Sequence, residues 1–300
     1  MSTECSTLAL VEGPAQLLDV IELAHACEGG DDLGELRVAV LAPALGRGRE
    51  QLRGMVALAR QEGLAVSWHE PRSGGASVAR TVRNLLDELG PTRRLVVADP
   101  FSGVAQVLIS LVRPTDLTVV DDGGATAELV QHLAGLRLRR ASEERTRLRV
   151  FTSVPRGAVG PEPLGVEVRR NDYAWLRGRW PGPEIHDGAD LVGAPLVEAG
   201  EVAVTAYLAA VERLVAQQGV TRYLAHRGES DDKLEQVRGL GVDVDRPTLP
   251  LEIAVRRGPV GATVIAFPSV GVHTLPVVLA GSGVRTLLCG VADRQARAVC

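Results

Sequence analysis

No stretch of the chain reaches the roughly eighteen uninterrupted apolar residues of a membrane-spanning helix. Met1 to Ser6 is polar and acidic, with no basic segment ahead of an apolar one, so neither a span nor a secretory leader is expected. Cysteine is scarce: Cys5, Cys27, Cys289 and Cys300 are the only four. They lack the short paired spacing of a zinc site and are too few for a disulfide scaffold, so a reducing compartment is expected. A cytoplasmic protein, soluble or peripheral at the inner face of the plasma membrane, follows from these absences. Lysine is nearly missing as well, Lys233 being the only one among 33 basic residues; so arginine-heavy a basic complement reads as coding bias rather than as a design for phosphate. Nor is there any excess of positive charge. A net charge of -4 and a pI near 5.9 offer nucleic acid and anionic lipid no general attraction, so any polyanion contact is local.

What the chain does contain is aliphatic residues in short runs, alternating with amphipathic stretches of helical length, the pattern of parallel strands covered by helices. Strands are expected at Leu8 to Val11, Arg37 to Ala42, Ala65 to His69, Leu95 to Asp99 and Leu117 to Asp121. After Ala141 the pattern loosens through Leu148 to Ser153 and Val166 to Arg169 into a Trp-, Pro- and Gly-bearing stretch, Trp175 to Asp187, read as a linker. Strands resume at Leu191 to Gly193, Arg222 to His226, Val242 to Val244, Ala262 to Phe267 and Val284 to Cys289, with helices at about 202–217, 231–239, 251–256 and 272–279. The expected architecture is α/β, with two Rossmann-like domains, 1–170 on the acceptor side and 188–300 on the nucleotide-sugar side. Facing each other across a cleft, such domains make the GT-B fold, and ligands bind at the carboxyl ends of their strands.

Residues with chemistry fall at those ends. Asp121 and Asp122 follow an apolar strand and precede two glycines; adjacent carboxylates resist joint ionisation, which can raise one pKa and make a general base, while Asp122 would serve equally as a helix N-cap. His226 closes the strand Tyr223-Leu224-Ala225, with Arg227, Ser230 and Lys233 close behind; a helix opening near Ser230 would aim amides at an anion, and a protonated imidazole would offset charge on a departing phosphate. A satisfied structural histidine fits the same residues. Glu252, after Pro250-Leu251, suits a ribose diol or merely the first turn of a helix. Ser269, after Phe267-Pro268, suits a phosphate or a helix cap.

Several of these segments together resemble the bacterial sialyltransferases of the lipooligosaccharide sialyltransferase and capsule polysialyltransferase type. The correspondence runs in order through Val11 to Asp19, Asp121-Asp122-Gly123, Gly193 to Glu198, the histidine strand with Glu229 and Lys233, Pro250-Leu251-Glu252 and Phe267-Pro268-Ser269. The resemblance implies an inverting, metal-independent transfer from a CMP-activated nonulosonic acid such as sialic acid to a glycan or glycolipid hydroxyl, with no cofactor besides that donor. It assigns the general base to Asp121, with Asp122 as the alternative, the CMP phosphate to His226 and Ser269, and the ribose to Glu252. Two other functions fit the residues: another nucleotide-sugar enzyme of the same architecture, a glycosyltransferase or an epimerase, for which uridine rather than cytidine binding would speak; and a non-catalytic carbohydrate-binding module.

Overall fold

Aliphatic runs without polar alternation belong in strands covered on both faces, and the chain uses them so. The computed structural model describes residues 6–27, 33–43, 46–70, 75–89, 93–121, 146–154, 166–268, 273–293 and 297–298. Asp122 and Ser269 lie outside the described residues. The chain divides into two units, Met1–Trp175 and Leu176–Cys300.

In the first unit the elements are β1 (Ser6–Val11), α1 (Pro14–Ala26), β2 (Glu35–Leu41), α2 (Arg47–Gln61), β3 (Ala65–His69), α3 (Gly75–Leu89), β4 (Arg94–Val97), α4 (Gly103–Val112), β5 (Asp116–Asp121), β6 (Arg147–Thr152) and β7 (Val166–Arg170). The seven strands form one sheet in the order β3-β2-β1-β4-β5-β6-β7, and every pairing is parallel. Leu8, Leu10, Leu95, Val97, Val119 and Val150 from the strands bury against Leu85, Leu108 and Val112 from the helices. The order reverses between β1 and β4, the position at which open α/β sheets leave a crevice at their carboxyl ends. Local chemistry sets the helix ends: Ser102 caps α4, its hydroxyl accepting the Ala105 amide at 3.2 Å.

The chain division falls within a short helix, α5 (Ala174–Arg179). The stretch from Trp175 to Asp187, expected as a linker, carries most of that helix and the first residues of β8. The second unit continues with β8 (Ile185–Val192), α6 (Val204–Gln218), β9 (Val220–Leu224), α7 (Asp231–Arg238), β10 (Asp243–Asp245), α8 (Leu251–Arg257), β11 (Val260–Ala266), α9 (Thr274–Val278), β12 (Arg285–Leu288) and β13 (Arg297–Ala298). Its sheet runs β10-β9-β8-β11-β12-β13, parallel except for the last pair. The order reverses between β8 and β11. Tyr207, Ala210, Val211 and Leu214 repeat with helical period and bury one face of α6. That helix stops at Gly219, whose φ of 64° is a left-handed cap that a side chain would strain.

Both sheets are therefore of the Rossmann type, as in GT-B proteins. β8 begins at Ile185 rather than at Leu191, and β9 ends at Leu224 rather than at His226. The physical reason at β9 is a turn: the Glu229 amide donates to the His226 carbonyl at 3.1 Å and takes the chain out of the sheet. Among the described residues no helix is long and apolar enough to cross a membrane.

One buried charge pins the inner strands of the second sheet. Asp190 on β8 is fully buried; it accepts Nε and Nη2 of Arg222 at 3.0 and 2.5 Å and the Gly261 amide of β11 at 2.8 Å. Removing one member of such a set leaves an uncompensated buried group, at a cost of about 3 kcal/mol. Asp190→Ala is therefore expected to lose about 3 kcal/mol of stability in urea unfolding, against less than about 0.5 kcal/mol for a substitution of the exposed Asp187.

Candidate functional site

The turn after β9 is built around a buried ammonium. Lys233, on the first turn of α7, is 2% exposed. An ammonium has three N–H donors, and here each has an acceptor: the Ala194 carbonyl at 3.0 Å, Glu198 Oε2 at 2.9 Å and Glu229 Oε1 at 2.8 Å. The ring of Tyr207 lies 4.3 Å from Nζ and adds its negative face. Lys233 has no donor left for a ligand. It is a structural cation, and the expectation that it would favour an anion at this turn is corrected.

Glu229 occupies the centre of the cluster. It receives the Tyr223 hydroxyl on Oε1 at 2.5 Å and the His226 amide on Oε2 at 2.6 Å. Three donors converging on two oxygens is the pattern of a carboxylate, although burial pushes its pKa up against Lys233 and Tyr223, which lower it. The Tyr223 and Tyr207 hydroxyls meet at 2.7 Å, and Tyr207 accepts the Ala194 amide at 3.0 Å. Burial raises both phenols far above their ordinary range, so they act only as neutral hydroxyls. Phe267, at the end of β11, packs on Tyr207 with ring centroids 4.9 Å apart. Glu198 completes the ring: partial burial works to raise its carboxyl, but the Ser230 amide at 2.8 Å and the Lys233 ammonium hold it below the usual value. Gly193 has to be glycine, because a Cβ there would fall on the Glu229 carboxylate and 2.7 Å from Cε1 of Tyr223.

His226 stands on this base, half-buried, at the carboxyl end of β9. The Gly228 amide donates to its Nδ1 at 3.1 Å. A backbone N–H can only donate, so Nδ1 carries the lone pair and the proton resides on Nε2. Burial, then the charges of Arg227 and Lys233, bring its pKa down to about 4. His226 is thus a neutral, oriented Nε2–H donor near pH 7, not the imidazolium expected from the sequence. Arg227 beside it is exposed.

The opening of α7 already has two of its amides engaged. Its Ser230 amide is taken by Glu198 and its Lys233 amide by the Ser230 hydroxyl, while Asp231 and Asp232 fill the first turn and already complement the helix dipole. Of the residues expected to meet an anion at this turn, His226 is half-buried and Arg227 exposed. Glu252 lies in the first turn of α8, 6% exposed, with its Oε1 accepting the Thr274 hydroxyl at 3.0 Å. In the first unit Asp121 ends β5, 7% exposed and in register with Thr152 of β6. Asp122 and Ser269 fall outside the described residues, so their expected roles gain no geometry. What sequence reasoning missed is the set Glu198, Tyr207 and Tyr223. A signal was there: the chain has one lysine and only three tyrosines, and the lysine and two of those tyrosines meet here.

No protein-family model and no curated protein matches the sequence. Solved structures do. A putative UDP-N-acetylglucosamine 2-epimerase from Listeria monocytogenes aligns at 14% identity over 90% of this chain and 76% of its own, with a TM-score of 0.56. The MnaA–UDP structure from S. aureus aligns at 11% identity over 91% and 77%, TM-score 0.54. Anabaena Alr3699/HepE in complex with UDP and glucose aligns at 14% over 97% and 87%, TM-score 0.52. At such identities the likeness is one of fold, and it supports the GT-B-like reading of both sheets.

These neighbours correct the sialyltransferase resemblance and, with it, the CMP-nonulosonic donor, because they are a putative UDP-N-acetylglucosamine 2-epimerase, an MnaA–UDP structure and HepE with UDP and glucose rather than CMP-sialyltransferases. The physical reason is that the shared segments are short strand ends and helix starts, which the scaffold itself demands. Glu229 and Lys233, counted among them, are internal supports of the turn.

Two measurements check the site. In an NMR titration the His226 imidazole is expected to protonate near pH 4, against about 6.5 for a free histidine; a midpoint above about 6 contradicts its neutral assignment. Gly193→Ala is expected to cost about 2 kcal/mol or more, read by thermal or urea unfolding, because buried backbone and ring must move.

Proposed function

We propose that the protein is a nucleotide-sugar enzyme that releases a uridine diphosphate from an anomeric carbon, as a glycosyltransferase or an epimerase does. The observation that carries this reading is His226: an oriented neutral N–H donor at the carboxyl end of β9, one strand from the strand-order reversal of a Rossmann-type sheet, near which such sheets hold their ligands. The like-folded MnaA and HepE structures, both holding UDP, support the choice of nucleotide.

The chemistry follows from the tautomer. When the bond from the anomeric carbon to the β-phosphate breaks, negative charge grows on that phosphate, and a fixed donor gains strength as it does. His226 Nε2–H supplies this without giving up its proton, and the exposed Arg227 adds a positive charge. The proton of the reacting hydroxyl or carbon goes to a separate base. We assign that role to Asp121, a carboxylate ending an apolar strand in the first unit, on its chemistry. Ribose recognition is assigned to Glu252, from its place at the start of α8.

Calorimetric titration with UDP tests the reading. His226→Ala is expected to weaken UDP about tenfold or more, the loss of one charge-assisted hydrogen bond, with CMP binding far weaker in both proteins. Equal affinity of wild type and variant for UDP removes the assignment. Asp121→Asn is expected to cut turnover of a UDP-sugar about a hundredfold or more while leaving UDP affinity within about twofold; wild-type UDP release from this variant gives the base to another residue.

A further inference from the structure

The cluster beneath His226 joins two loops that leave the sheet separately. Ala194 and Glu198 belong to the loop after β8, and His226, Glu229 and Ser230 to the turn after β9. Lys233 bonds the first loop at the Ala194 carbonyl and Glu198, and the second at Glu229. Glu198 answers by accepting the Ser230 amide. Below them the Tyr207–Tyr223 pair ties the Ala194 amide to Glu229, and Arg246 closes the outside by donating to the Glu229 carbonyl at 3.0 Å.

Every bond of the set is internal. Lys233 and Glu229 are 2% and 4% exposed and their polar atoms are engaged by these internal partners, so neither is placed to touch a ligand. Yet Glu229 is one atom away from the imidazole's own residue: its Oε2 holds the His226 amide, which fixes where β9 ends and the turn begins. The same turn brings the Gly228 amide to Nδ1. If the His226 amide were released, the chain from His226 to Gly228 could rotate and the Gly228 amide would leave the imidazole, which then exchanges between its two tautomers.

We infer that Glu229, held by Lys233 and Tyr223, is a positioning residue that selects the Nε2–H tautomer of His226 and so prepares the turn for a diphosphate. The part of this that concerns the diphosphate rests on the function proposed above; the part that concerns the tautomer does not. Glu229 contributes no atom to the ligand. A salt bridge serving only stability would hold the fold and leave the tautomer of a neighbouring ring indifferent.

The test uses the full chain labelled with 15N at histidine, with the His226 signals assigned through His226→Ala. In the wild type, free of ligand, Nδ1 is expected to show the shift of an unprotonated acceptor and Nε2 that of a protonated donor. Glu229→Gln is expected to move both nitrogens toward the averaged values of exchanging imidazole and to weaken UDP about tenfold, with unchanged far-UV circular dichroism. Glu229→Asp keeps a carboxylate for Lys233 but draws it back by one methylene, so it retains the fold should the glutamine variant lose it, and it is expected to move the two signals in the same direction. Histidine signals at wild-type positions in a folded Glu229 variant overturn the inference. Signals that move while His226→Ala leaves UDP affinity untouched keep the positioning role and overturn the diphosphate site instead.

Discussion

An ammonium taken out of water costs several kcal/mol unless each of its protons is matched, and the second unit is arranged around meeting that condition for Lys233. Its three acceptors come from two segments, Ala194 and Glu198 in the loop after β8 and Glu229 in the turn after β9. Once those positions are set, little freedom remains. Glu229 must face inward, Gly193 can carry no side chain, and Tyr207 and Tyr223 must share their hydroxyls. The strand-end histidine is left half-buried at the edge of this set, with the exposed Arg227 beside it.

That outcome inverts the usual meaning of a basic cluster. A lysine, an arginine and a histidine within eight residues at the start of a helix read as an anion receptor. In the folded chain the lysine serves two carboxylates, and the helix start is filled by Asp231, Asp232 and Ser230. The histidine is neutral because burial and the neighbouring cations both disfavour a proton. A neutral donor stabilises charge as it develops and needs no proton transfer, which suits departure of a phosphate better than tight binding of the ground state.

The first unit shows a related economy. Asp19 and Glu22 are buried on α1, where Asp19 accepts Asn171 and the Tyr173 hydroxyl, and Glu22 accepts the Trp175 amide. Buried carboxylates on this helix hold the segment that leaves β7. Like Glu229, they are charged residues used for placement, and from sequence alone they are indistinguishable from catalytic acids. Asp121 differs in its place: it ends an inner strand of the sheet, the position from which Rossmann-type folds present reactive groups.

Most strands of both sheets were legible in the sequence because a parallel strand covered on two faces leaves a local trace, an unbroken aliphatic run bounded by Gly, Pro or Asp, as at Leu8 to Val11 and Leu95 to Asp99. The strand-end positions of Asp121 and His226 were legible for the same reason. The end of β9 was misplaced by two residues, since the turn at His226 depends on Glu229 and Gly228 rather than on the strand's own propensity. The family resemblance misled because short motifs at strand ends report the scaffold. Local periodicity, then, determined the class of the fold and where its chemistry would cluster. Which nitrogen of His226 holds its proton, and that Lys233 meets carboxylates instead of a ligand, was decided only by tertiary structure, because those facts turn on contacts between residues up to 39 positions apart whose desolvation no local pattern records.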